Sequence, residues 1–313
     1  MDNFLTTEQV AERLHLHQNT VIRYIREGKL SAAKVGNAYR IKESTLATFV
    51  GDAEPLTDTA RILAVANQKG GVAKTTTTVN LAAALSAQGK KVLLIDLDPQ
   101  GGCAVCLGID TSSLQRTVYD VLVNRAVDLS KVVMKTAFGF DLAPSNIDLA
   151  GAEVELKQAL AQESVFKRRL QPVTDTYDFI LVDTPPSLGI LTVNALTAAH
   201  YVLIPVACEY MALRGLKMLL DTIENVQGVT NPGLKILGVL ATKYDGRTLN
   251  SQEVYDYLSK FCERQQIRLF NQVIKQSVRF MEAPNQGKPL IQLHPQLDGA
   301  QAYQQVAQEI LHA

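Results

Sequence analysis

Residues 61–78, Arg-Ile-Leu-Ala-Val-Ala-Asn-Gln-Lys-Gly-Gly-Val-Ala-Lys-Thr-Thr-Thr-Thr, decide the fold of this chain. The apolar run from Ile62 to Ala66 predicts a buried strand, and the pair Gly70-Gly71 predicts a tight turn. A helix is expected to begin at Lys74 and to extend to about Gln88. A strand, a glycine turn and a helix that starts with Lys-Thr form a phosphate-binding loop, because the turn amides and the positive end of the helix dipole face the anion.

This loop carries the side chains that a bound nucleotide needs. Lys74 would neutralise the outer phosphates, and the Thr75 hydroxyl would ligate Mg²⁺. The expected nucleotide contacts in the loop are Gly70, Gly71, Val72, Ala73, Lys74, Thr75 and Thr76. The alternative is a glycine turn that only starts a helix; the second lysine, Lys69, at this spacing after an apolar strand argues against it.

Two positions depart from the ordinary phosphate-loop pattern, because Gln68 and Ala73 stand where glycines are usual. The sequence from Lys69 to Thr75, Lys-Gly-Gly-Val-Ala-Lys-Thr, resembles the deviant Walker A motif of the ParA/MinD ATPases. The resemblance implies a homodimer that forms on ATP binding, in which Lys69 crosses the interface and contacts the phosphates of the partner's nucleotide. If the backbone at Ala73 needs a positive φ, its methyl group carries an energetic cost.

The composition indicates a soluble globular protein with one large domain and a small module. The 313 residues are 47% apolar and 20% charged, and 31 basic side chains balance 31 acidic ones. Any nucleic-acid surface must therefore be local. We expect no membrane span and no signal peptide, since no apolar run approaches the required length. Four cysteines do not suggest a disulfide scaffold, so a reducing cytoplasm is expected.

Beyond residue 60, predicted strands and helices alternate, which favours an α/β fold with a doubly wound, mostly parallel sheet. Further strands are expected at 91–96, 140–144, 178–183, 201–205 and 235–241. Long helices are expected near 147–170, 188–199, 211–227, 250–263 and 299–312. The predicted domains are a small module at 1–50, an acidic linker at 51–60 and a P-loop ATPase domain at 61–313.

Carboxylates follow two of these strands, at the sheet edge where ligands bind in parallel sheets. Asp183 ends an apolar strand as a Walker B carboxylate does, and it would hold a Mg²⁺-bound water. The resemblance implies that Asp98 orients or activates the attacking water, whereas Asp96 would only pair with a lysine. The expected metal ligands are Thr75, Asp98 and Asp183, and the expected catalytic residues are Lys69, Lys74 and Asp98. Each aspartate could instead cap a strand–helix turn.

Residues 5–50 predict a compact module before the linker. A helix from Glu8 to Leu14, capped by Thr6 or Thr7, and a second helix from Gln18 to Glu27 are followed by a hairpin within residues 30–41 and a closing helix at 44–50. This pattern resembles the winged helix-turn-helix of MerR and excisionase proteins.

The charge of the module supports a DNA-binding interpretation. Residues 18–42 hold six Lys or Arg and one Glu, a local charge of +5 in a neutral chain. The implied DNA contacts are Gln18, Asn19, Thr20, Arg23, Tyr24, Arg26, Asn37, Tyr39 and Arg40. The alternative is a protein-interaction domain with a solvated basic face.

Segments 204–215 and 278–289 resemble later signature segments of ParA ATPases, so the resemblance spans essentially all of 61–313. It implies that the backbone near Thr242 and Pro284 frames the adenine. It also implies non-specific DNA binding through basic residues of the C-terminal half, for which the candidates are Lys243, Arg247, Lys260, Arg264, Arg268, Lys275 and Arg279. This patch is thinner than in relatives, because Leu258 and Gln276 stand where arginines occur there.

Cys103 and Cys106 form a Cys-x-x-Cys pair without a second pair or a nearby histidine. Zinc is therefore not expected, and we interpret both as small apolar helix residues.

These patterns predict a ParA-type partition ATPase fused to a specific DNA-binding module, stimulated by a ParB-like partner, cytoplasmic and associated with the nucleoid. A MinD-like membrane-cycling ATPase is one alternative, but it needs a basic amphipathic C-terminal helix, and residues 303–313 contain no Lys or Arg. A transcription regulator controlled by nucleotide and an ATPase that positions a cargo other than DNA are two further alternatives.

Overall fold

The computed structural model describes residues 4–14, 18–26, 30–36, 38–43, 45, 60–210 and 212–312. The chain divides into two compact units, Met1–Thr59 and Ala60–Ala313. The predicted closing helix at 44–50, apart from residue 45, and the predicted linker up to residue 59 lie outside the described residues.

The N-terminal unit combines two helices with a small antiparallel sheet. Its described elements are β1 (Phe4–Thr6), α1 (Thr7–Leu14), α2 (Gln18–Arg26), β2 (Ala33–Val35) and β3 (Ala38–Lys42). The strand order is β1-β3-β2. The two helices and the hairpin were predicted, but β1 was not. A three-residue strand has no periodic pattern, and β1 is defined only by its pairing with β3, where Leu5 faces Ile41.

The side chain of Thr6 caps α1. Its Oγ1 accepts the backbone N–H of Gln9 at 3.1 Å, and the Gln9 side chain accepts the backbone N–H of Thr6 at 2.9 Å, which is the reciprocal bonding of a capping box. Tyr24, one of the implied DNA contacts, was expected on the outward face of α2, but the structure buries it in the core of this unit. Tyr24 lies three residues after buried Val21 and therefore shares its helix face.

The C-terminal unit is built on a sheet of seven described strands. They are β4 (Arg61–Val65), β5 (Val92–Asp96), β6 (Met134–Lys135), β7 (Asp141–Ala143), β8 (Phe179–Asp183), β9 (Tyr201–Ala207) and β10 (Lys235–Thr242). The spatial order is β10-β9-β4-β8-β5-β7-β6. Among these strands β6 alone pairs antiparallel, with β7, and all other pairs are parallel. The predicted mostly parallel α/β fold is confirmed.

Helices cover both faces of this sheet. The described helices are α3 (Lys74–Ala87), α4 (Gly102–Cys106), α5 (Val118–Val123), α6 (Leu149–Leu156), α7 (Val165–Leu170), α8 (Ile190–Ala198), α9 (Ala212–Val229), α10 (Leu249–Arg264), α11 (Arg279–Glu282), α12 (Leu290–Leu293) and α13 (Asp298–Leu311). Successive strand residues enter different apolar clusters: Ile62 belongs to the cluster that includes residues of α5 to α10, whereas Leu63 belongs to the cluster that includes residues of α3 and α13. This alternation is the reason that the sheet is buried on both sides.

The single long helix predicted near 147–170 was wrong, because the chain forms α6 and α7 with a break between them. Ala161 in the break has a left-handed backbone, with φ 50°. The buried side chain of Asn194 donates to the carbonyl of Gln162 at 2.8 Å and accepts the N–H of Phe166 at 3.0 Å. A tertiary contact thus satisfies backbone groups that a continuous helix would pair internally.

Over the residues that the structure describes, no helix has the length and apolar character needed to cross a membrane.

Candidate nucleotide-binding site

The predicted phosphate loop joins β4, in the middle of the sheet, to α3. Gly71 and Ala73 both have left-handed backbones, with φ values of 71° and 67°. The Ala73 carbonyl accepts the N–H of Thr77 at 2.9 Å, so Ala73 ends the loop and starts the helix. The backbone at Ala73 thus has the positive φ that was considered from the sequence, and this conformation costs a residue with a Cβ about 1–2 kcal/mol.

Buried side chains outside the motif fix the shape of the loop. The amide of Asn67 donates to the carbonyl of Pro205 at 2.7 Å and accepts the backbone N–H of Lys69 at 3.0 Å. The hydroxyl of Thr242 donates to the carbonyl of Val72 at 3.0 Å. No local pattern marks Asn67 as a site residue, because only the tertiary fold brings its partner on β9 beside it.

Asp183, at the end of β8, lies directly behind the start of α3. Its two carboxylate oxygens accept the hydroxyls of Thr75 at 2.6 Å and Thr78 at 3.0 Å. Burial raises the pKa of Asp183, and these hydrogen bonds and the Lys74 charge oppose that rise. A carboxylate and a hydroxyl beside a phosphate loop are oxygen donors of the kind that Mg²⁺ takes, so Thr75 and Asp183 fit a bound ion.

Asp96 lies beside Asp183, since the parallel register of β5 and β8 pairs the two residues. Its carboxylate accepts the backbone N–H groups of Asp98 at 2.9 Å and Cys103 at 3.0 Å. The predicted lysine partner is absent from the described contacts of Asp96, so this carboxylate shapes the turn after β5. Burial and the nearby charge of Asp183 raise its pKa.

Lys74 is the buried cation of the site. The residue is only 7% exposed, and its Nζ donates to the carbonyl of Lys69 at 3.3 Å. Burial lowers the pKa of Lys74, while Asp183 and Asp98 counteract this effect. We call Lys74, Thr75, Thr78, Asp96 and Asp183 the Asp183 cluster.

A cavity of about 370 Å³ opens beside this cluster. From the predicted nucleotide contacts it is lined by Gly70, Gly71, Ala73, Lys74, Thr75 and Thr76, and Asp98 joins them. The rest of the wall includes Ile274, Gln276, Ser277, Phe280, Met281 and Tyr303. Phe280 and Met281 belong to the signature segment 278–289, whereas no local motif marks Ile274 or Ser277; together these residues bring apolar side chains to a position where a base could pack.

Two predicted site residues, Val72 and Pro284, do not line this cavity, whereas Asp98 does. Val72 is buried beneath the loop and does not line the cavity, so it can contribute only its backbone. Pro284 lines a separate small cleft of about 20 Å³ together with Thr76. Asp98 lies on the wall of the main cavity, where its carboxylate accepts the N–H of Gln100 at 3.0 Å and its carbonyl accepts the hydroxyl of Ser145 at 2.6 Å.

Lys69 is ion-paired within its own chain. Its Nζ lies 3.1 Å from Oε2 of Glu209, and Nζ of Lys243 lies 3.4 Å from Oε1 of the same carboxylate. We call these three residues the Glu209 cluster. Lys243 also lines the cavity, so the structure places this candidate DNA contact at the nucleotide site.

The Cys-x-x-Cys pair lies on α4, and both thiols are free. Cys103 is buried, and its Sγ donates to Oδ2 of Asp183 at 3.6 Å. One ligand atom each from Asp96, Cys103 and Asp183 lie within 4.8 Å of one another in the described part of the chain. Burial, with the charges of Asp96 and Asp183, raises the pKa of the Cys103 thiol, which favours a neutral hydrogen-bond donor over a metal-binding thiolate.

Several predicted DNA contacts of the C-terminal half are paired with carboxylates. Lys275 lies 2.7 Å from Asp298, and it also lines the nucleotide cavity. Arg279 lies 2.8 Å from Glu282, at the other end of the four-residue helix α11. Arg247 and Arg268 likewise pair with Asp245 and Glu309. These pairs reduce the local positive field that a DNA backbone would meet.

The predicted contacts of the N-terminal unit lie on α2 and β3. Gln18, Asn19, Thr20, Arg23 and Arg26 are positions of α2, and the Gln18 side chain donates to the Thr7 hydroxyl at 3.0 Å. Tyr39 and Arg40 are half-buried on β3. Asn37 lies outside the described residues.

The loop between β4 and α3, with a carboxylate at the end of the adjacent β8, defines this unit as a P-loop nucleotide-binding fold. Residues 60–236 match the AAA domain family, and residues 4–52 match the helix-turn-helix domain family. The sporulation initiation inhibitor protein Soj of Bacillus subtilis (strain 168) is 45% identical over 250 residues, which cover 80% of this chain and 98% of that protein. The chromosome partitioning protein ParA of Caulobacter vibrioides (strain NA1000 / CB15N) is 43% identical over 254 residues, covering 80% and 94%. The chain therefore belongs to the Soj/ParA family of ATPases, as the motif predicted.

Solved structures share the fold of this unit. The cobyrinic acid a,c-diamide synthase of Mycobacterium smegmatis with bound ADP and magnesium is 42% identical, with a TM-score of 0.71 over 80% of this chain and 94% of that chain. The McdA(D38A)–ATP complex from Cyanothece is 26% identical, with a TM-score of 0.72 over 80% and 96%.

Proposed function

We propose that this chain is a DNA partition ATPase in which ATP closes two copies into a dimer. The dimer binds DNA, and hydrolysis stimulated by a ParB-like partner releases it. The observation that carries the proposal is the pairing of a phosphate loop, formed around Lys74 and Asp183, with a second, half-exposed lysine, Lys69, just before the glycines. Membership of the Soj/ParA family supports the ATPase chemistry.

Each residue of the site has a proposed role in hydrolysis. The loop amides and Lys74 hold the phosphates of ATP, and burial keeps water from screening the Lys74 charge. Thr75 and Asp183 would hold Mg²⁺, which neutralises charge on the phosphates when bound. Asp98, on the cavity wall, positions the attacking water in line with the terminal phosphate.

The proposed dimer depends on Lys69. Its side chain is 31% exposed, so a second copy of the chain can reach the ammonium group. In this proposal Lys69 leaves Glu209 and contacts the phosphates bound by the partner, which makes nucleotide occupancy a condition for pairing.

DNA binding is proposed to divide between the two units. The helix-turn-helix unit supplies sequence recognition and represses the operon of the protein. The ATPase dimer supplies a weaker, non-specific contact, because Lys275 and Arg279 are already paired with Asp298 and Glu282.

The experiment that tests this proposal is Lys69→Ala in the full chain. Light scattering after gel filtration, with Mg²⁺ and a slowly hydrolysed ATP analogue, should show a dimer for the unaltered chain and a monomer for the variant. Titration with a fluorescent nucleotide should show an affinity within about threefold of the unaltered chain, because Lys74 and Asp183 remain. Lys235→Ala, an exposed lysine at the start of β10, is the matched control. A normal dimer in Lys69→Ala would refute the cross-subunit role.

A transcription regulator controlled by nucleotide is the second candidate, and the paired basic residues of the C-terminal half favour it. The two functions differ in the kind of DNA for which ATP changes the affinity of the protein. A partition ATPase should gain affinity for random-sequence DNA when ATP is added, whereas a regulator should change affinity only for its operator. Fluorescence anisotropy with both DNAs at two salt concentrations distinguishes them.

The membrane-cycling alternative has a structural argument against it. The apolar face of α13, including Tyr303, Val306 and Ile310, is buried in the core. The Tyr303 hydroxyl lies 2.9 Å from that of Thr77 on α3. This face is occupied within the unit and is not available to a lipid surface.

A further inference from the structure

Glu209 brings together two lysines that the family motif does not connect. Lys69 precedes the paired glycines, Glu209 follows β9, and Lys243 follows β10. Strands β4, β9 and β10 are neighbours and run parallel, so their carboxyl ends carry these three residues to one place. One carboxylate oxygen faces Lys69 at 3.1 Å, and the other faces Lys243 at 3.4 Å.

The backbone holds both lysines toward this carboxylate. The N–H of Lys69 is fixed by Asn67 at 3.0 Å. Lys243 has a left-handed backbone, with φ 50°, and a non-glycine residue keeps that strained conformation only when its surroundings impose it. The Lys243 ammonium also comes within 3.9 Å of the position that a Cβ on Gly71 would occupy. Lys243 is thus built into the phosphate-loop region.

The ion pairs of the Glu209 cluster can exchange partners. The side chains of Lys69, Glu209 and Lys243 are 31%, 46% and 39% exposed, so each ion pair is screened by water. Partial burial alone would raise the pKa of Glu209, but hydrogen bonds and charge from both lysines leave it below its usual value. If Lys69 moves away, Lys243 still neutralises the carboxylate, so the movement strands no charge.

We propose that Glu209 is a positioning residue that tethers Lys69 to its own subunit before dimerisation, and that Lys243 competes with Lys69 for that carboxylate. The inference rests on the proposed function, since it assumes that Lys69 serves the partner's nucleotide. The fraction of Lys69 free to cross the interface then sets the apparent dimer affinity. Glu209 opposes dimerisation, whereas Lys243 promotes it.

The two variants Glu209→Gln and Lys243→Met therefore have opposite expected effects. Sedimentation of the full chain at saturating ATP analogue and Mg²⁺ should give a dimer dissociation constant about threefold lower for Glu209→Gln and about threefold higher for Lys243→Met, the size expected of partly exposed ion pairs. A merely structural role would weaken the dimer in both variants. Nucleotide titration of each variant ensures that the site is saturated.

The Lys69→Ala background provides the decisive control. If the effects pass through Lys69, Lys69→Ala/Glu209→Gln should stay as monomeric as Lys69→Ala, and a dimer that Glu209→Gln restores without Lys69 would overturn the tether. A dimer in the unaltered chain with no change in Glu209→Gln, or changes of the same sign in both variants, overturns the tether while the proposed function stands. An unaltered chain that remains monomeric with ATP overturns the proposed function and the tether with it.

Discussion

The Asp183 cluster and the Glu209 cluster are two charged groups at the same nucleotide site, but their environments differ. Asp96 and Asp183 are fully buried and Lys74 is nearly so, whereas the three side chains of the Glu209 cluster are 31% to 46% exposed. Buried charges interact strongly and tolerate little change, while exposed pairs contribute little and exchange readily. The first cluster is therefore suited to holding a nucleotide, and the second to switching.

The largest expected effect is in the buried cluster. Asp183→Asn removes the charge that is proposed to face Mg²⁺ and places an N–H₂ group against the hydroxyl of Thr75 or Thr78. We expect phosphate release from Mg²⁺–ATP by the full chain to fall about 100-fold, or about 2.7 kcal/mol in activation free energy.

Asp141→Asn is the matched control for that variant. Asp141 is also buried, but it lies on β7 and accepts hydrogen bonds from Lys135 of β6 and from Tyr177. Its hydrolysis rate should stay within about threefold of normal, since this pair is remote from the loop. Equal losses in both variants would indicate a folding defect and would contradict the special role of the Asp183 cluster.

The second-largest expected effect is on the pH dependence of stability, to which the two clusters should contribute differently. Burial raises the pKa of Asp96 and of Asp183, so above about pH 4, the usual pKa of an aspartate, these two carboxyls bind more protons in the folded protein than in the unfolded chain. Within this window their contribution to stability falls as pH rises, by up to about 1.4 kcal/mol per pH unit for each proton.

Urea unfolding of the nucleotide-binding unit, followed at pH 5, 6.5 and 8, measures this slope. Asp96→Asn should flatten it, because that position no longer titrates. Glu209→Gln should leave it unchanged, since the pKa of Glu209 is lowered and its titration lies below the window. A slope that changes equally in both variants would remove the distinction between the clusters.

The sequence predicted those parts of the site that local patterns encode. The apolar runs ending at Val65 and Asp183 and the glycine turn were enough to place Lys74, Thr75 and Asp183 at one sheet edge. Parallel strands end at a common edge, so strand order did not have to be known.

The parts that were missed depend on contacts between distant segments. The second hydroxyl on Asp183, from Thr78, follows from the orientation of α3, and the Asn67 anchor requires β9 beside β4. The pairing of Lys69 with Glu209 joins residues 140 positions apart. The break between α6 and α7 comes from Asn194, whose hydrogen bonds outweigh a strong helical pattern.

The smallest expected effect tests whether the phosphate loop is preformed. Ala73→Gly removes a methyl group from a left-handed backbone in the loop, and Ala161→Gly makes the same change in the break after α6, away from the site. Each should raise the free energy of unfolding by up to about 1 kcal/mol, because relief of left-handed strain exceeds the added chain entropy of glycine. We expect the loop to keep this conformation in the free and bound states, so the relief stabilises both alike, and the ATP affinity of Ala73→Gly should change less than about twofold. Calorimetric titration checks this, with Ala161→Gly as control.

A gain in affinity above about fivefold confined to Ala73→Gly would mean that ATP imposes the strained conformer on a loop that otherwise relaxes, and the rigid character assigned to the Asp183 side of the site would then be wrong.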